Sequence, residues 1–192
     1  MTLILASQSP RRRELLALLG IPFDVAHADL DETPLPDESP DAMTSRLALE
    51  KAEAVYSRHG PGTWVLGGDT TVTIDGLILG KPENHAQATA MLERLSGETH
   101  SVVSAVALVG ENFSEVALSR TEVSFGDWWP SQIQAYCDSG EPFDKAGGYG
   151  IQGYAGAFVR DISGSYSGVV GLPLYETRLL LEKAGLIKAT LA

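Results

Sequence analysis

The sequence predicts an α/β fold built on a mixed β-sheet. Segments with strand patterns alternate with segments of helical periodicity, without a clean repeat, and a two-residue hairpin turn, Asp75-Gly76, joins two of the strands. This combination favours a mixed sheet over a doubly wound parallel one. The 192 residues correspond to one domain, or to two small lobes that share a core.

Caps and turn residues delimit the elements of the first half of the chain. Ser9 and Ser39 are suited to cap helices, and each precedes a proline in the first helical position. Gly20 stands where a left-handed residue would end the first helix. In chain order we expect a strand at 3–6, a helix over 10–19, an acidic, proline-rich loop over 24–40, a helix over 40–59, and strands at 64–67 and 71–74.

The second half of the chain begins with the hairpin and ends with a helix. In chain order we expect a strand at 77–79, a helix over 85–95, two longer strands at 100–109 and 114–125, a helix over 130–138, a glycine-rich loop over 140–156, a strand over 157–162 and a last helix over 172–184.

Composition narrows the class of protein. The net charge is −11, from 25 acidic and 14 basic residues, so most of the surface would repel nucleic acid and we expect no nucleic-acid partner. The single cysteine, Cys137, excludes a disulfide framework. No apolar run approaches the ~20 residues that span a bilayer, and the first residues do not resemble a signal peptide. We therefore expect a cytoplasmic protein without a membrane partner.

Two glycine-rich segments resemble known phosphate-binding motifs but fail on context. Gly148–Gly153 has the dinucleotide-binding spacing, yet it runs into a strand-like segment, whereas that motif must open a helix. Gly76–Pro82 has three residues between its glycines and a proline after the lysine, which excludes a P-loop. Neither segment predicts a nucleotide site of those two kinds.

The start of the first helix is a candidate anion site. Ser7 and Ser9 offer hydroxyl groups, the helix offers unpaired N–H groups, and three consecutive arginines follow at Arg11, Arg12 and Arg13. Together these groups suit a phosphate. The alternative is a capped surface helix whose arginines point into solvent, and spacing alone leaves both readings open.

Two further segments carry charged groups in loops or at strand ends. Asp69 follows Gly67 and Gly68 directly after a buried strand, where a carboxylate could hold a divalent metal or orient water. The alternative is a turn between two strands, with Asp69 bonded to the backbone. Asp144 and Lys145 are adjacent in the glycine-rich loop, and a plain surface ion pair would explain them equally.

Taken in order, several motifs resemble those of the Maf family of nucleoside triphosphate pyrophosphatases. The resemblance extends from residue 3 to about 180 and is specific because six motifs occur in the right order. The segments that carry it are Ala6–Leu16, Gly67–Thr70, Gly80–Pro82, Leu95–Gly97, Glu141–Gly153 and Gly164–Leu174.

The resemblance implies one domain over residues 1–192, with a mixed, elongated and twisted sheet, helices around it and two lobes flanking a cleft. It also implies cleavage of a nucleoside triphosphate between the α- and β-phosphates. Arg11 directly after Ser-Pro and the Gln152 position resemble the branch acting on dTTP and UTP, whereas the 7-methyl-GTP branch has tryptophan and glutamate there. An amide at 152 can both donate and accept, as a pyrimidine edge requires.

The resemblance also assigns roles to single residues. In the mechanism that we infer from it, Asp69 would be the general base and a ligand of a divalent cation, Mg²⁺ or Mn²⁺, and Thr70 and Gln152 would read the base. Glu32, in the acidic loop over 29–32, is a candidate for a second metal ligand. The residues implied to bind the substrate are Ser7, Ser9, Arg11, Arg12, Arg13, Lys51, Thr70, Lys81, Asp144, Lys145 and Gln152.

Departures and alternatives complete the expectations. Gly68 stands where family members usually have alanine, and Gly168 replaces a commoner asparagine. The resemblance implies a homodimer. Other functions stay open at this stage: a nucleotide-binding regulator of septum formation without significant turnover, specificity for 7-methyl-GTP, or action on modified pyrimidine triphosphates.

Overall fold

The computed structural model describes residues 2–187 and has an α/β fold with a mixed sheet, as predicted. Its strands are β1 (Thr2–Ala6), β2 (Asp24–Ala26), β3 (Thr63–Ile74), β4 (Leu77–Leu79), β5 (Thr99–Gly110), β6 (Phe113–Phe125) and β7 (Val159–Ser163). Its helices are α1 (Pro10–Ala17), α2 (Pro40–His59), α3 (His85–Leu95), α4 (Pro130–Asp138), α5 (Tyr166–Val170) and α6 (Leu174–Lys183). None of the helices within residues 2–187 combines the length and apolarity needed to cross a bilayer.

Within residues 2–187 the sheet has seven strands, in the order β2-β1-β3-β5-β6-β7, with β4 paired to β3 outside that path. Strand β1 runs parallel to both β2 and β3, whereas the β3–β4 and β6–β7 pairs are antiparallel. The parallel pairs follow from helical connections, and the antiparallel β3–β4 pair follows from the two-residue hairpin. In that turn Asp75 and Gly76 have φ of 51° and 77°, the left-handed geometry that such turns require.

The predicted helix starts are confirmed in atomic detail. Ser9 Oγ accepts a hydrogen bond from the backbone N–H of Arg12 at 3.4 Å, and Ser39 Oγ accepts one from Ala42 at 3.2 Å. Each hydroxyl satisfies a helical N–H that has no partner within the helix. Helix α1 ends at Ala17, two residues before the predicted end.

The separation of β3 into two strands was wrong. Residues 63–74 form one continuous strand, and Gly67, Gly68 and Asp69 lie inside it. The prediction placed Asp69 at a strand end after the two glycines, where glycine would let a ligand approach the backbone closely. Pairing of Ala6 with Gly67 in the β1–β3 ladder keeps this segment extended, so Asp69 projects from the middle of a strand and not from its end.

Other differences come from short elements that carry no periodic pattern. Strand β2 forms within the predicted loop because Asp24–Ala26 pairs with Ile4–Ala6. The glycine-rich loop contains short 3₁₀ turns, at Glu141–Asp144, Ala146–Gly148 and Tyr154–Phe158, and β7 therefore begins at Val159. The predicted last helix is α6, which begins at Leu174, and the short α5 before it was not predicted.

The chain divides into two compact units, each with its own core. Unit 1 comprises the chain up to Asp69, Ser104–Ser119 and the chain from Gly171 onward, and unit 2 comprises Thr70–Val103 and Arg120–Val170. A buried cluster of unit 1 consists of Ile4, Ala6, Ala48, Ala52, Val55, Val65, Ala105, Ala107 and Val109. In unit 2 the core is richer in aromatic side chains, among them Phe125, Trp128, Tyr136 and Tyr149.

Candidate functional site

The first part of the candidate site lies in unit 1, where β1 ends and α1 begins. Because Ala6 pairs with Gly67, the residues that follow β1 start beside the glycine pair of β3. Ser7 is buried, and its hydroxyl accepts a hydrogen bond from the backbone N–H of Ser9 at 3.1 Å. The chain thus turns into α1 with its hydroxyl groups and helical N–H groups collected in one place, which suits an oxyanion.

Arg12 is the arginine that is built into this place. Its Nε donates to the carbonyl oxygen of Gly171 at 2.7 Å, and its Nη1 lies 3.5 Å from Ser7 Oγ. Burial lowers the pKa of the Arg12 guanidinium from its ordinary value, and the neighbouring Asp69 and Glu32 carboxylates act in the opposite direction. The guanidinium is therefore held by the fold within electrostatic reach of both carboxylates.

The close approach of α2 to β3 depends on Gly67. A β-carbon at position 67 would lie 2.1 Å from the carbonyl oxygen of Ala48 and 2.9 Å from the backbone nitrogen of Ala52. Residues 67 and 69 point to the same side of the strand, and Lys51 lies between those two contacts along α2. The missing side chain at 67 thereby lets the helix come near enough for Lys51 to meet Asp69.

Lys51 joins two carboxylates. Its Nζ lies 2.7 Å from Asp69 Oδ1 and 2.5 Å from Glu32 Oε1. The Lys51 and Asp69 side chains are each 10% exposed, whereas that of Glu32 is 47% exposed. The two carboxylates compensate the charge of the buried Lys51 ammonium, and the ammonium holds the Asp69 carboxylate in a defined position.

The other predicted phosphate ligands of unit 1 lie in less enclosed positions. Arg11 and Ser9 are partly buried, and Arg13 is exposed. The Arg11 charge contributes to the lowered pKa of Arg12. The structure therefore brings Ser7, Ser9, Arg11 and Arg12 to one end of α1, while the role of Arg13 stays a prediction.

A second group of predicted residues lies in unit 2, on the loop that contains the 3₁₀ turns. Lys145 Nζ donates to the carbonyl oxygen of Glu141 at 2.6 Å and pairs with Asp144 Oδ1 at 2.5 Å. The Tyr136 hydroxyl donates to Glu141 Oε1 and accepts from the Gly150 N–H, both at 3.1 Å. These bonds hold a compact loop that carries Lys145 and presents Gln152, which is exposed.

The remaining predicted residues of unit 2 are placed without a defined role. Thr70 is partly buried in β3, and Lys81 is exposed after β4. Their contributions to binding stay predictions.

Sequence reasoning missed the groups that position the predicted ones. Gly171 belongs to the segment Gly164–Leu174, which was used for the resemblance, but the segment gave no indication that its backbone receives Arg12. Its φ of 131° is a conformation that favours glycine, which explains the residue type at this position. Tyr136 and Glu141 were likewise not singled out as partners of the loop backbone.

The donor set of unit 1 limits how a metal could bind. Within residues 2–187 no three His, Cys, Asp or Glu side chains are grouped so as to hold an ion by themselves. Asp69 and Glu32 nevertheless supply carboxylate oxygens around one point, Lys51 Nζ. Mg²⁺ commonly takes only one or two protein carboxylates and completes its shell with water and substrate phosphates, so two carboxylates are a sufficient number of protein ligands, although the Lys51 ammonium lies between them in this structure.

Residues 2–184 match the family described as Maf-like protein. The match covers nearly the whole chain and includes α1, Asp69 and the loop that carries Lys145. The chain belongs to the Maf family.

The chain is similar to bacterial proteins that are named dTTP/UTP pyrophosphatase. It is 54% identical over 184 residues to the dTTP/UTP pyrophosphatase of Myxococcus xanthus (strain DK1622), covering 96% of this chain and 93% of that protein. It is 51% identical over 187 residues to the dTTP/UTP pyrophosphatase of Pseudoalteromonas atlantica, covering 96% of this chain and 97% of that protein. The match to the solved structure of the Staphylococcus aureus Ham1 protein covers 66% of this chain and 73% of that chain, with a TM-score of 0.49 and 14% identity.

Proposed function

We propose that this protein is a nucleoside triphosphate pyrophosphatase that hydrolyses dTTP and UTP to the monophosphate and pyrophosphate. The observation that carries the proposal is the Lys51 ammonium between Asp69 and Glu32, within electrostatic reach of Arg12. The names of the relatives that are about 50% identical over nearly the whole chain support the same reaction.

In this reaction a water oxygen attacks the α-phosphorus, and the bond from the α-phosphorus to the oxygen that bridges it to the β-phosphorus breaks. Pyrophosphate leaves with that bridging oxygen, and the water loses one proton. Asp69 accepts this proton as general base, and Lys51 holds its carboxylate in a defined position. Lys51 then remains as a positive charge beside the reacting groups.

The triphosphate oxygens bind where α1 begins. The N–H groups of its first turn and the hydroxyl groups of Ser7 and Ser9 provide hydrogen-bond donors, and Arg11 and Arg12 provide charge. Arg12 is oriented before the substrate arrives because Gly171 accepts from its Nε. Positioning and charge stabilisation are most of what phosphoryl transfer requires from a protein.

A divalent cation, Mg²⁺ or Mn²⁺, is part of the proposal. Asp69 and Glu32 are the residues that would hold it, with the substrate phosphates as further ligands. When bound, such an ion lowers the pKa of a coordinated water and neutralises phosphate charge.

Several finer assignments belong to the same proposal. Thr70 and Gln152 read the pyrimidine base, and Lys81, Asp144 and Lys145 take part in substrate binding. The protein acts as a homodimer in the cytoplasm on a small-molecule substrate, without a nucleic-acid or membrane partner.

The experiment is a substrate panel with product analysis. The protein is incubated with dTTP, UTP, CTP, ATP, GTP and 7-methyl-GTP plus Mg²⁺, and the products are separated by chromatography, with the Asp69→Asn protein purified identically as control. The proposal expects dTMP or UMP with pyrophosphate at many equivalents per protein. Nucleoside diphosphate with inorganic phosphate would contradict the assigned bond. Binding without turnover would favour a regulator, and a preference for 7-methyl-GTP would contradict the substrate.

A further inference from the structure

We propose that Arg46 is a positioning residue that fastens the loop before α2, so that Glu32 stays on Lys51 beside Asp69. The expected effect on metal binding rests on the proposed function. The contacts from which the inference is argued lie wholly within unit 1. Arg46 acts through the segment that carries Glu32. The hydrogen bonds of Arg46 go to Glu38, Glu50 and the carbonyl oxygen of Thr33.

The Arg46 guanidinium binds Glu38, at the end of the loop next to α2, through the edge formed by Nε and Nη2. Nε donates to Glu38 Oε1 and Nη2 donates to Glu38 Oε2, each at 2.7 Å. The Arg46 and Glu38 side chains are 19% and 8% exposed, so this pair is largely withdrawn from water. The bond network with Arg46 lowers the pKa of Glu38 to about 2, and the pair therefore stays ionised throughout the neutral range.

The same guanidinium also binds the part of the loop next to Glu32. Nη2 donates to the carbonyl oxygen of Thr33 at 3.3 Å, directly after Glu32 in the chain. Asp31, on the other side of Glu32, accepts from the N–H of Thr33 at 3.0 Å and from its hydroxyl at 2.6 Å. Glu32 therefore lies in a turn that is closed by the hydrogen bonds between Asp31 and Thr33. The carbonyl group of Thr33, the next residue, is bound to Arg46.

The Glu32 side of the Glu32–Lys51 contact is more open to water than the Arg46–Glu38 pair. The Glu32 side chain is 47% exposed, and half-exposed ion pairs contribute little to order because water screens them. The bidentate, largely buried Arg46–Glu38 pair has the geometry that orders a segment. Glu50 Oε2, which accepts from Nη1 at 3.1 Å, keeps the Arg46 side chain aligned along α2.

A double-mutant cycle with a direct binding measurement tests the inference. Mn²⁺ affinity is measured by electron paramagnetic resonance in the presence of α,β-imido-UTP, for the full-length protein and its Arg46→Met, Glu32→Gln and doubly substituted forms. We expect Arg46→Met to weaken Mn²⁺ binding about tenfold, as loss of an outer partner typically does, and Glu32→Gln, which replaces a proposed ligand, to weaken it at least as much. The double form should be no weaker than Glu32→Gln, because Arg46 acts only through Glu32.

A matched control separates this role from the loss of any arginine ion pair. Arg178→Met removes a pair with Glu182 at i,i+4 on α6, in the same unit, and should leave Mn²⁺ affinity unchanged. Hydrogen exchange of the amides of residues 31–38 should accelerate in Arg46→Met and not in Arg178→Met. Full Mn²⁺ affinity in Arg46→Met or in Glu32→Gln would overturn the inference. It would also be overturned if the two single losses of affinity multiplied in the double form, to about a hundredfold. Because the analogue is not cleaved, these results are independent of whether dTTP and UTP are turned over.

Discussion

The β-carbon that Gly67 lacks would lie 2.1 Å from the carbonyl oxygen of Ala48, so β3 and α2 touch backbone to backbone at this point. This contact determines the depth at which α2 lies on the sheet and hence the reach of Lys51 toward Asp69. A single absent side chain thereby connects the packing of unit 1 to the position of its charged groups.

Gly67→Ala should impair both stability and activity. The added methyl group forces α2 away from β3, which we expect to cost about 2–3 kcal/mol of unfolding free energy, measured by urea denaturation. Displacement of Lys51 should also lower kcat/KM for dTTP by about 10²-fold.

Gly68→Ala is the matched control for that substitution. Its β-carbon would lie 3.4 Å from Arg12 Nε and 3.5 Å from the carbonyl oxygen of Ala105, which is close but tolerable contact. We expect the unfolding free energy to stay within about 1 kcal/mol of the parent protein. Equal losses for both alanine variants would refute the role given to the close approach at 67.

Removal of the Lys51 ammonium should lower the unfolding free energy, because Asp69 is buried. Lys51→Met leaves a carboxylate that is 10% exposed without its cation, and we expect the unfolding free energy to fall by about 3 kcal/mol at neutral pH. The double variant Lys51→Met/Asp69→Asn should recover part of this loss, because the buried Asp69 charge is then removed as well. Wild-type stability of the single variant in urea denaturation would show that the pair is not buried in solution.

His100 should make unit 2 sensitive to acid. Its side chain is buried, its Nε2 is 2.8 Å from the Tyr149 hydroxyl, and burial lowers its pKa from 6.5 to about 4. The unfolded chain therefore binds the proton more readily, so this contribution to stability is complete above about pH 6.5 and is lost as the pH falls toward 4.

The measurement for His100 is a comparison of pH profiles. The unfolding free energy of the parent protein should fall by about 3 kcal/mol more than that of His100→Gln between pH 7 and pH 4. Parallel profiles would mean that His100 titrates normally in the folded protein.

Local features of the fold could be predicted from the sequence, and contacts between distant segments could not. The caps at Ser9 and Ser39 and the turn at Asp75-Gly76 depend on a few neighbouring residues, and the structure confirms them. Continuity of β3 through Gly67-Gly68 depends on its pairing with β1, which no local pattern records. Strand β2 is three residues long and exists only as a partner of β1.

The candidate site shows the same division. Arg12 and Asp69 were recognised by residue type and motif, and the structure places their charges within electrostatic reach. The bond from Arg12 to the carbonyl oxygen of Gly171 joins residues 159 positions apart, so spacing could not indicate it. Lys51 was predicted as a phosphate ligand, whereas its structural position, between Glu32 and Asp69, depends on the depth of α2 on the sheet.

The most direct test of the central claim is the rate of pyrophosphate release from dTTP by Asp69→Asn, which keeps the size of the side chain and removes its basicity. We expect kcat to fall by about 10²-fold or more and KM to change less than kcat, since the groups at the start of α1 that we propose to bind phosphate are untouched. A kcat within a few-fold of the parent enzyme would contradict the assignment of Asp69 as the base.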